Sequence, residues 1–238
     1  MIEYKGSFVN YIVKGDGEEV MLYLHGWGGS VDSFLHLNTS LNYKNIFVDF
    51  PPFGKSEEPK QAYTLFDYVE IVLNILQKEK VKKLNIICHS FGARVAILLI
   101  SLYNQNVDKL IITSGAGIKP KNKVKKIFRK IKYKIMKKIN KNFVPGSNDY
   151  KNLSPVMKKT FSNIINFDLS NLAKEINCKT LLIYGNKDKE TPLYMAKKLN
   201  KLIKNSKLII YKNCGHFAYL ENNIEFLIDI KTFLKGET

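Results

Sequence analysis

An α/β architecture, with a mostly parallel central sheet covered by helices on both faces and a helical insertion near the middle of the chain, follows from two patterns in this sequence. Short apolar runs recur between stretches of helical spacing, and strands buried on both faces read as such runs rather than as alternating ones. The alternation stops between about residues 118 and 176 and then resumes, as it does when a segment is inserted between two strands of one sheet. The expected division is a core of residues 1–117 and 177–238 with a helical insertion of residues 118–176.

The first twenty residues, MIEYKGSFVNYIVKGDGEEV, alternate apolar and polar positions and predict a hairpin turning at Gly15-Asp16-Gly17. They lack the basic start and apolar run of a signal peptide. Residues 20–25 form a buried strand running into the loop Gly26-Trp27-Gly28-Gly29, after which Ser30 is placed to cap a helix through about residue 41. Residues 45–50 are a second buried strand, stopped by Pro51-Pro52. Thr64 with Asp67 makes a capping pair, and Phe66, Val69, Val72, Leu73 and Leu76 keep helical spacing to about Lys80. Residues 84–89 are the next strand, and a helix rich in Ala, Ile and Leu follows Ser90. Three further strands are expected at 109–115, 179–185 and 207–212, with helices near 193–203 and 224–234. The longest apolar run, residues 95–102, is far short of the ~20 residues a membrane span needs.

The 238 residues are 45% hydrophobic and 25% charged, which excludes a disordered, collagenous or membrane-spanning chain. Against 21 acidic residues stand 38 basic ones, a formal +17, and a surplus of that size points to an anionic partner. Nucleic acid is not the expected one. Only Arg94 and Arg129 among the basic residues are arginine, whereas phosphate and base edges favour the guanidinium fork, and no recognition motif is present. Cys88, Cys178 and Cys214 are an odd number at unrelated spacings, so neither a disulfide framework nor a zinc site is expected, and the compartment expected is the reducing cytoplasm.

The chemistry concentrates where strands end. Cys88-His89-Ser90-Phe91-Gly92 lies where a strand meets a helix, so the Ser90 hydroxyl would stand on a tight turn at the carboxyl edge of the sheet, with a helix N-terminus favouring negative charge. Activating a serine needs an imidazole base and an acid that orients it. Of the four histidines, His36 falls within a helix, His25 ends a strand and His89 directly precedes the serine, leaving His216 in the loop after the last strand as the best base. By the same edge argument Asp188, after the preceding strand, is the acid. Asp49, also at a strand end, competes for that role, and Cys88 competes as nucleophile although it lies on the strand before the apex.

Taken together, His25-Gly26-Trp27-Gly28-Gly29, the segment 49–56 (DFPPFGKS), the turn around Ser90, the segment 185–192 holding Asp188, and Gly215-His216-Phe217 followed by Glu221 resemble the α/β-hydrolase fold family over essentially the whole chain. The resemblance implies Ser90, Asp188 and His216 as the catalytic triad, and the backbone N–H groups of Trp27 and Phe91 as the oxyanion hole, without a cofactor or metal. It makes Asp49 a structural residue. It implies a serine hydrolase acting on a carboxylic ester or thioester of a small or acyl-chain substrate. Carbon–carbon bond hydrolases and lyase-like members in menaquinone synthesis use the same triad, and some members bind ligands without catalysis. Serine at the nucleophile position separates the chain from haloalkane dehalogenases and epoxide hydrolases. Two positions depart from the family pattern: Cys88 replaces the first glycine of the nucleophile turn, and Pro52 stands where glycine usually follows Asp-x-Pro.

The family's helical cap usually decides the substrate, and here residues 119–142 hold twelve basic and no acidic residues. Val124, Ile127, Phe128, Ile131, Ile135 and Ile139 run through them at spacings of three and four, an apolar stripe on a basic helix. Such a helix serves as a lid with solvated lysines, lies on an anionic membrane surface, or docks an acidic carrier protein. With the HGWG loop it resembles the pimeloyl-acyl-carrier-protein methyl ester esterases. Because the cap supplies most of the pocket, the sequence names no substrate-binding residue.

Overall fold

The computed structural model describes residues 1–37, 42–103, 106–119 and 152–236. β1 (Ile2–Tyr4) and β2 (Ser7–Val9) pair antiparallel as a separate ribbon. Its turn is Lys5-Gly6, both residues with positive φ, as a two-residue hairpin of this type requires. β3 (Tyr11–Lys14) then joins the main sheet, running antiparallel to β5 (Tyr43–Val48), which separates it from β4 (Glu19–Leu24). The hairpin expected at Gly15-Asp16-Gly17 is therefore a link between unpaired strands. Alternation identifies a strand but not its neighbour. The glycines serve close approach instead: a Cβ on Gly15 would meet Tyr43 O at 2.4 Å, and one on Gly17 would meet Asn42 O at 2.2 Å.

The seven-stranded sheet has the order β3-β5-β4-β6-β7-β8-β9, parallel throughout except for β3, with β6 (Leu84–His89), β7 (Val107–Thr113), β8 (Lys179–Gly185) and β9 (Ser206–Tyr211). Odd and even positions along the strands feed two cores. Leu22, Leu24, Ile86, Ile112 and Leu182 pack under α2 (Leu65–Lys78) and α3 (Phe91–Tyr103), while Met21, Tyr23, Ile87, Ile111 and Leu181 form the opposite layer. That second layer is closed by Phe34 of α1 (Asp32–Leu35) and by later helices. α1 is much shorter than expected, and residues 38–41 lie outside those described. Ser30 Oγ does accept from the Asp32 amide, at 3.2 Å. α2 starts as anticipated, with the Thr64 amide donating to Asp67 Oδ2 at 2.6 Å.

Between β7 and β8, α4 (Pro155–Ile165) is capped by Ser154, whose Oγ accepts from the Met157 amide, and a short 3-10 turn (Leu172–Glu175) follows. Residues 120–151 of the expected cap, and with them nearly all of the basic segment 119–142 and its candidate partners, lie outside the described residues. α4 is fastened to the body. The Tyr63 amide donates to Thr160 Oγ1 at 2.9 Å, and the half-buried Arg94 on α3 donates to the carbonyls of Ile164 and Phe167 at 3.2 and 3.0 Å. Those carbonyls lie at and just beyond the C-terminal end of α4, where the helix dipole favours a cation. The chain closes with α5 (Leu193–Leu202), α6 (Ala218–Glu221) and α7 (Asn223–Lys235), which ends at Gly236 in the left-handed region. Tyr219, Phe226, Ile230 and Phe233 from α6 and α7 complete the second core layer. Among the described residues no helix is long and apolar enough to cross a membrane.

Candidate active site

Loops after β6, β8 and β9 meet at the carboxyl edge of the sheet. Ser90 sits between β6 and α3 with φ +48°, a conformation a serine holds only where the surroundings impose it. Here its amide donates to Thr113 O at 3.2 Å, and its carbonyl accepts from Ala93 and Ala116 at 3.2 and 3.0 Å. Space for the turn depends on Gly92, where a Cβ would lie 2.1 Å from Leu24 O. Cys88 is wholly buried on β6, its thiol donating to Ile111 O at 3.4 Å, and burial pushes that thiol up, away from the nucleophilic thiolate.

β8 and β9 bring the other two groups together. A Cβ on Gly185 would be 2.2 Å from Cys214 O, so the two loops run in backbone contact, and Lys187 N donates to Cys214 O at 2.8 Å. Gly215 N is held by Glu221 Oε2 at 2.8 Å, which sets the residue that follows. His216 thereby stands between the partners predicted for it, with Nδ1 2.9 Å from Asp188 Oδ2 and Nε2 3.0 Å from Ser90 Oγ. A carboxylate facing Nδ1 assigns the proton there and leaves the Nε2 lone pair toward the serine hydroxyl.

Asp188 is buried, and burial alone would raise its carboxyl. The hydrogen bonds from His216 and Thr191 outweigh that and hold it well below the usual carboxylate range. Its Oδ1 accepts from the amides of Glu190 and Thr191 at 2.8 and 2.9 Å, and Oδ2 accepts from Thr191 Oγ1 at 2.7 Å. Asp49 is elsewhere and fully engaged, accepting from Val31 N at 2.7 Å, Asn10 Nδ2 at 2.8 Å and Lys55 N at 2.9 Å. The segment after it turns at Pro51-Pro52, a cis peptide bond, and at Gly54, where a Cβ would strike the Asp49 carboxylate.

Phe91 opens α3, so its amide has no carbonyl partner within the helix. Trp27 lies in the turn closed by Gly29 N on Gly26 O at 3.0 Å. Its indole packs edge-on against Phe53, Phe91 and Phe161 of α4, at centroid distances of 5.0, 5.5 and 5.1 Å. An aromatic wall thus borders the two amides.

Several contributors escaped the sequence reading. Thr191 has a local signal, being a hydroxyl three residues beyond an aspartate in a loop. Glu190, whose Oε2 lies 3.3 Å from His216 Nε2, has none, because the contact exists only once two distant loops meet. His89 Nε2 donates to the backbone carbonyl of His216 at 3.1 Å, tying the end of β6 to the loop that carries His216. His25 ties the glycine loop down, with Nδ1 on Gly26 O at 2.7 Å and Nε2 accepting from Phe50 N at 2.9 Å. Among the described residues no cluster of three or more His, Cys, Asp or Glu side chains is arranged to hold a metal ion.

Burial pulls His25 down to about 4 and His89 to about 3, so both are neutral in the fold at neutral pH. An unfolded histidine takes up its proton near pH 6.5. The unfolded state therefore gains protons first as pH falls. The stability these rings lend is complete above about pH 6.5 and is lost toward pH 4, at about 1.4 kcal/mol per unit for each ring. Thermal melts should drop by several degrees between pH 7 and pH 5, and a flat melting temperature would contradict the buried neutral pair.

A family model described as alpha/beta hydrolase fold matches residues 19–142 and 145–223. The chain is 24% identical over 263 residues to 2-hydroxy-6-oxononadienedioate/2-hydroxy-6-oxononatrienedioate hydrolase 1 of Pseudomonas putida, covering 95% of this chain and 91% of that protein. It is 28% identical over 272 residues to the proline iminopeptidase of Saccharolobus solfataricus, covering 94% and 87%. Among solved structures, the esterase EaEST from Exiguobacterium antarcticum superposes with a TM-score of 0.76 at 20% identity, over 97% of this chain and 96% of that one, a likeness of fold.

Proposed function

Since the chain belongs to the alpha/beta hydrolase fold family, we propose that it is a serine hydrolase cleaving a carboxylic ester or thioester by way of an acyl-enzyme. One observation carries the reading: His216 bridges Ser90 and an ionised Asp188 with hydrogen bonds of 3.0 and 2.9 Å. His216 Nε2 takes the hydroxyl proton as Ser90 Oγ attacks the carbonyl carbon, and Asp188 stabilises the imidazolium. The tetrahedral oxyanion lies toward the amides of Trp27 and Phe91, each such donor being worth on the order of 3 kcal/mol of barrier. Collapse expels the alcohol or thiol, protonated by His216, and water reverses the sequence to free the acid and restore Ser90. The aromatic wall of Trp27, Phe53, Phe91 and Phe161 favours an apolar acyl group.

Labelling of the purified protein by a fluorophosphonate probe, with hydrolysis of p-nitrophenyl esters of graded acyl length, tests this. Labelling at Ser90 and turnover that rises with acyl length are expected. An unlabelled protein inert to every ester would refute it.

Carbon–carbon bond hydrolysis is the second reading, favoured by the relative in Pseudomonas putida named for a dienedioate. A dioate carries two carboxylates, and Glu190 places a third negative charge beside the base. Bleaching of a 2-hydroxy-6-oxodienoate chromophore, run beside the esters, separates the two.

A further inference from the structure

We propose that Glu190 makes the leaving-group side of this site selective for substrates with a positive charge close to the scissile bond, and adverse to anionic ones; the proposal rests on the serine-hydrolase reading above. Glu190 Oε2 lies 3.3 Å from His216 Nε2, the same nitrogen that lies 3.0 Å from Ser90 Oγ. The carboxylate oxygen is thus no more than about 6 Å from the nucleophile. His216 must pass its proton through Nε2 to the departing atom, which has to come within hydrogen-bond reach of that nitrogen. Substituents a few bonds beyond the departing atom then lie alongside Glu190.

The other carboxylates described in this region are already used. Asp188 is saturated by His216, Thr191 and two backbone amides, and Asp49 by Val31, Asn10 and Lys55. The Glu190 side chain is 69% exposed, on the side of His216 that substrate must approach. Its backbone is nonetheless held: the amide donates to Asp188 Oδ1 at 2.8 Å, and the neighbouring Thr191 amide donates to the same oxygen at 2.9 Å. The charge is therefore presented from a fixed loop.

At roughly 5–6 Å and a dielectric between that of the protein surface and water, one unit charge opposite Glu190 changes kcat/KM by about three- to tenfold, with the opposite sign for an anion. Acetylcholine and 3,3-dimethylbutyl acetate have the same shape and differ by one positive charge, so their ratio of kcat/KM isolates this term. The wild-type ratio is expected to be about three to ten, falling to near one in Glu190→Gln and below one in Glu190→Lys. Because each ratio is taken within one protein, a general loss of activity in a variant divides out. A wild-type ratio near one, or a ratio unmoved by both substitutions, overturns the proposal while leaving the hydrolase reading intact. If acetyl esters turn over too slowly, the rate of Ser90 phosphorylation by an organophosphate with a thiocholine leaving group, against its uncharged carbon isostere, gives the same ratio. No reaction at Ser90 with either phosphorylating agent overturns the hydrolase reading and this proposal with it.

Discussion

Ser90→Ala is expected to abolish fluorophosphonate labelling and to lower ester turnover by on the order of 10⁴- to 10⁶-fold, with the melting temperature almost unchanged. The hydroxyl is the attacking atom in the proposed reaction, and nothing described nearby can take its place. Cys88, two residues away, is wholly buried and held as a thiol, and the strand directs it to the core layer beneath α3. Alanine keeps a Cβ at the left-handed position, so the backbone is no more strained than before. The interactions that hold the turn, from Ser90 N to Thr113 O and from Ala93 and Ala116 to Ser90 O, are all backbone ones and survive. Any activity left measures what the amides and substrate binding do unaided. Labelling that persists in the variant would place the nucleophile elsewhere.

Most of the sheet was legible because strands buried on both faces register as bare apolar runs: residues 84–89 and 179–185 match β6 and β8 residue for residue. What period alone cannot supply is the neighbour. β3 looked like half of a hairpin with β4, yet its partner is β5, thirty residues further on, and the Gly15–Gly17 link passes over the start of that strand. The site divides in the same way. Ser90, Asp188 and His216 each end or follow a strand, so the edge argument placed all three on one rim. Glu190 and His89 are placed by contacts between segments more than twenty residues apart, and those contacts depend on backbone approaches such as Gly185 against Cys214. No local pattern encodes them.

The two buried aspartates that competed as acid give the sharpest remaining contrast. Asp188→Asn should lower kcat by on the order of 10³- to 10⁴-fold, because an asparagine beside Nδ1 offers an amide N–H as readily as a carbonyl and lets the imidazole adopt the wrong tautomer. The Thr191 amide and hydroxyl would still orient the side chain, so the loss comes from charge and tautomer rather than from collapse of the loop. Asp49→Asn should behave oppositely. Its carboxylate gathers Val31 N, Asn10 Nδ2 and Lys55 N and touches no atom of His216, so one oxygen replaced by NH₂ sets donor against donor in a buried site. That costs about 1–3 kcal/mol, or a melting point lower by roughly 2–10 °C in a domain of this size, with turnover reduced less than tenfold at temperatures where the variant stays folded. Both substitutions weaken the fold to some degree, since Asp188 is itself held ionised by its partners. Turnover measured well below both melting points is therefore the reading that discriminates. Equal losses of kcat in the two variants would remove the distinction between an aspartate that serves the base and one that ties the Val31 and Lys55 loops together.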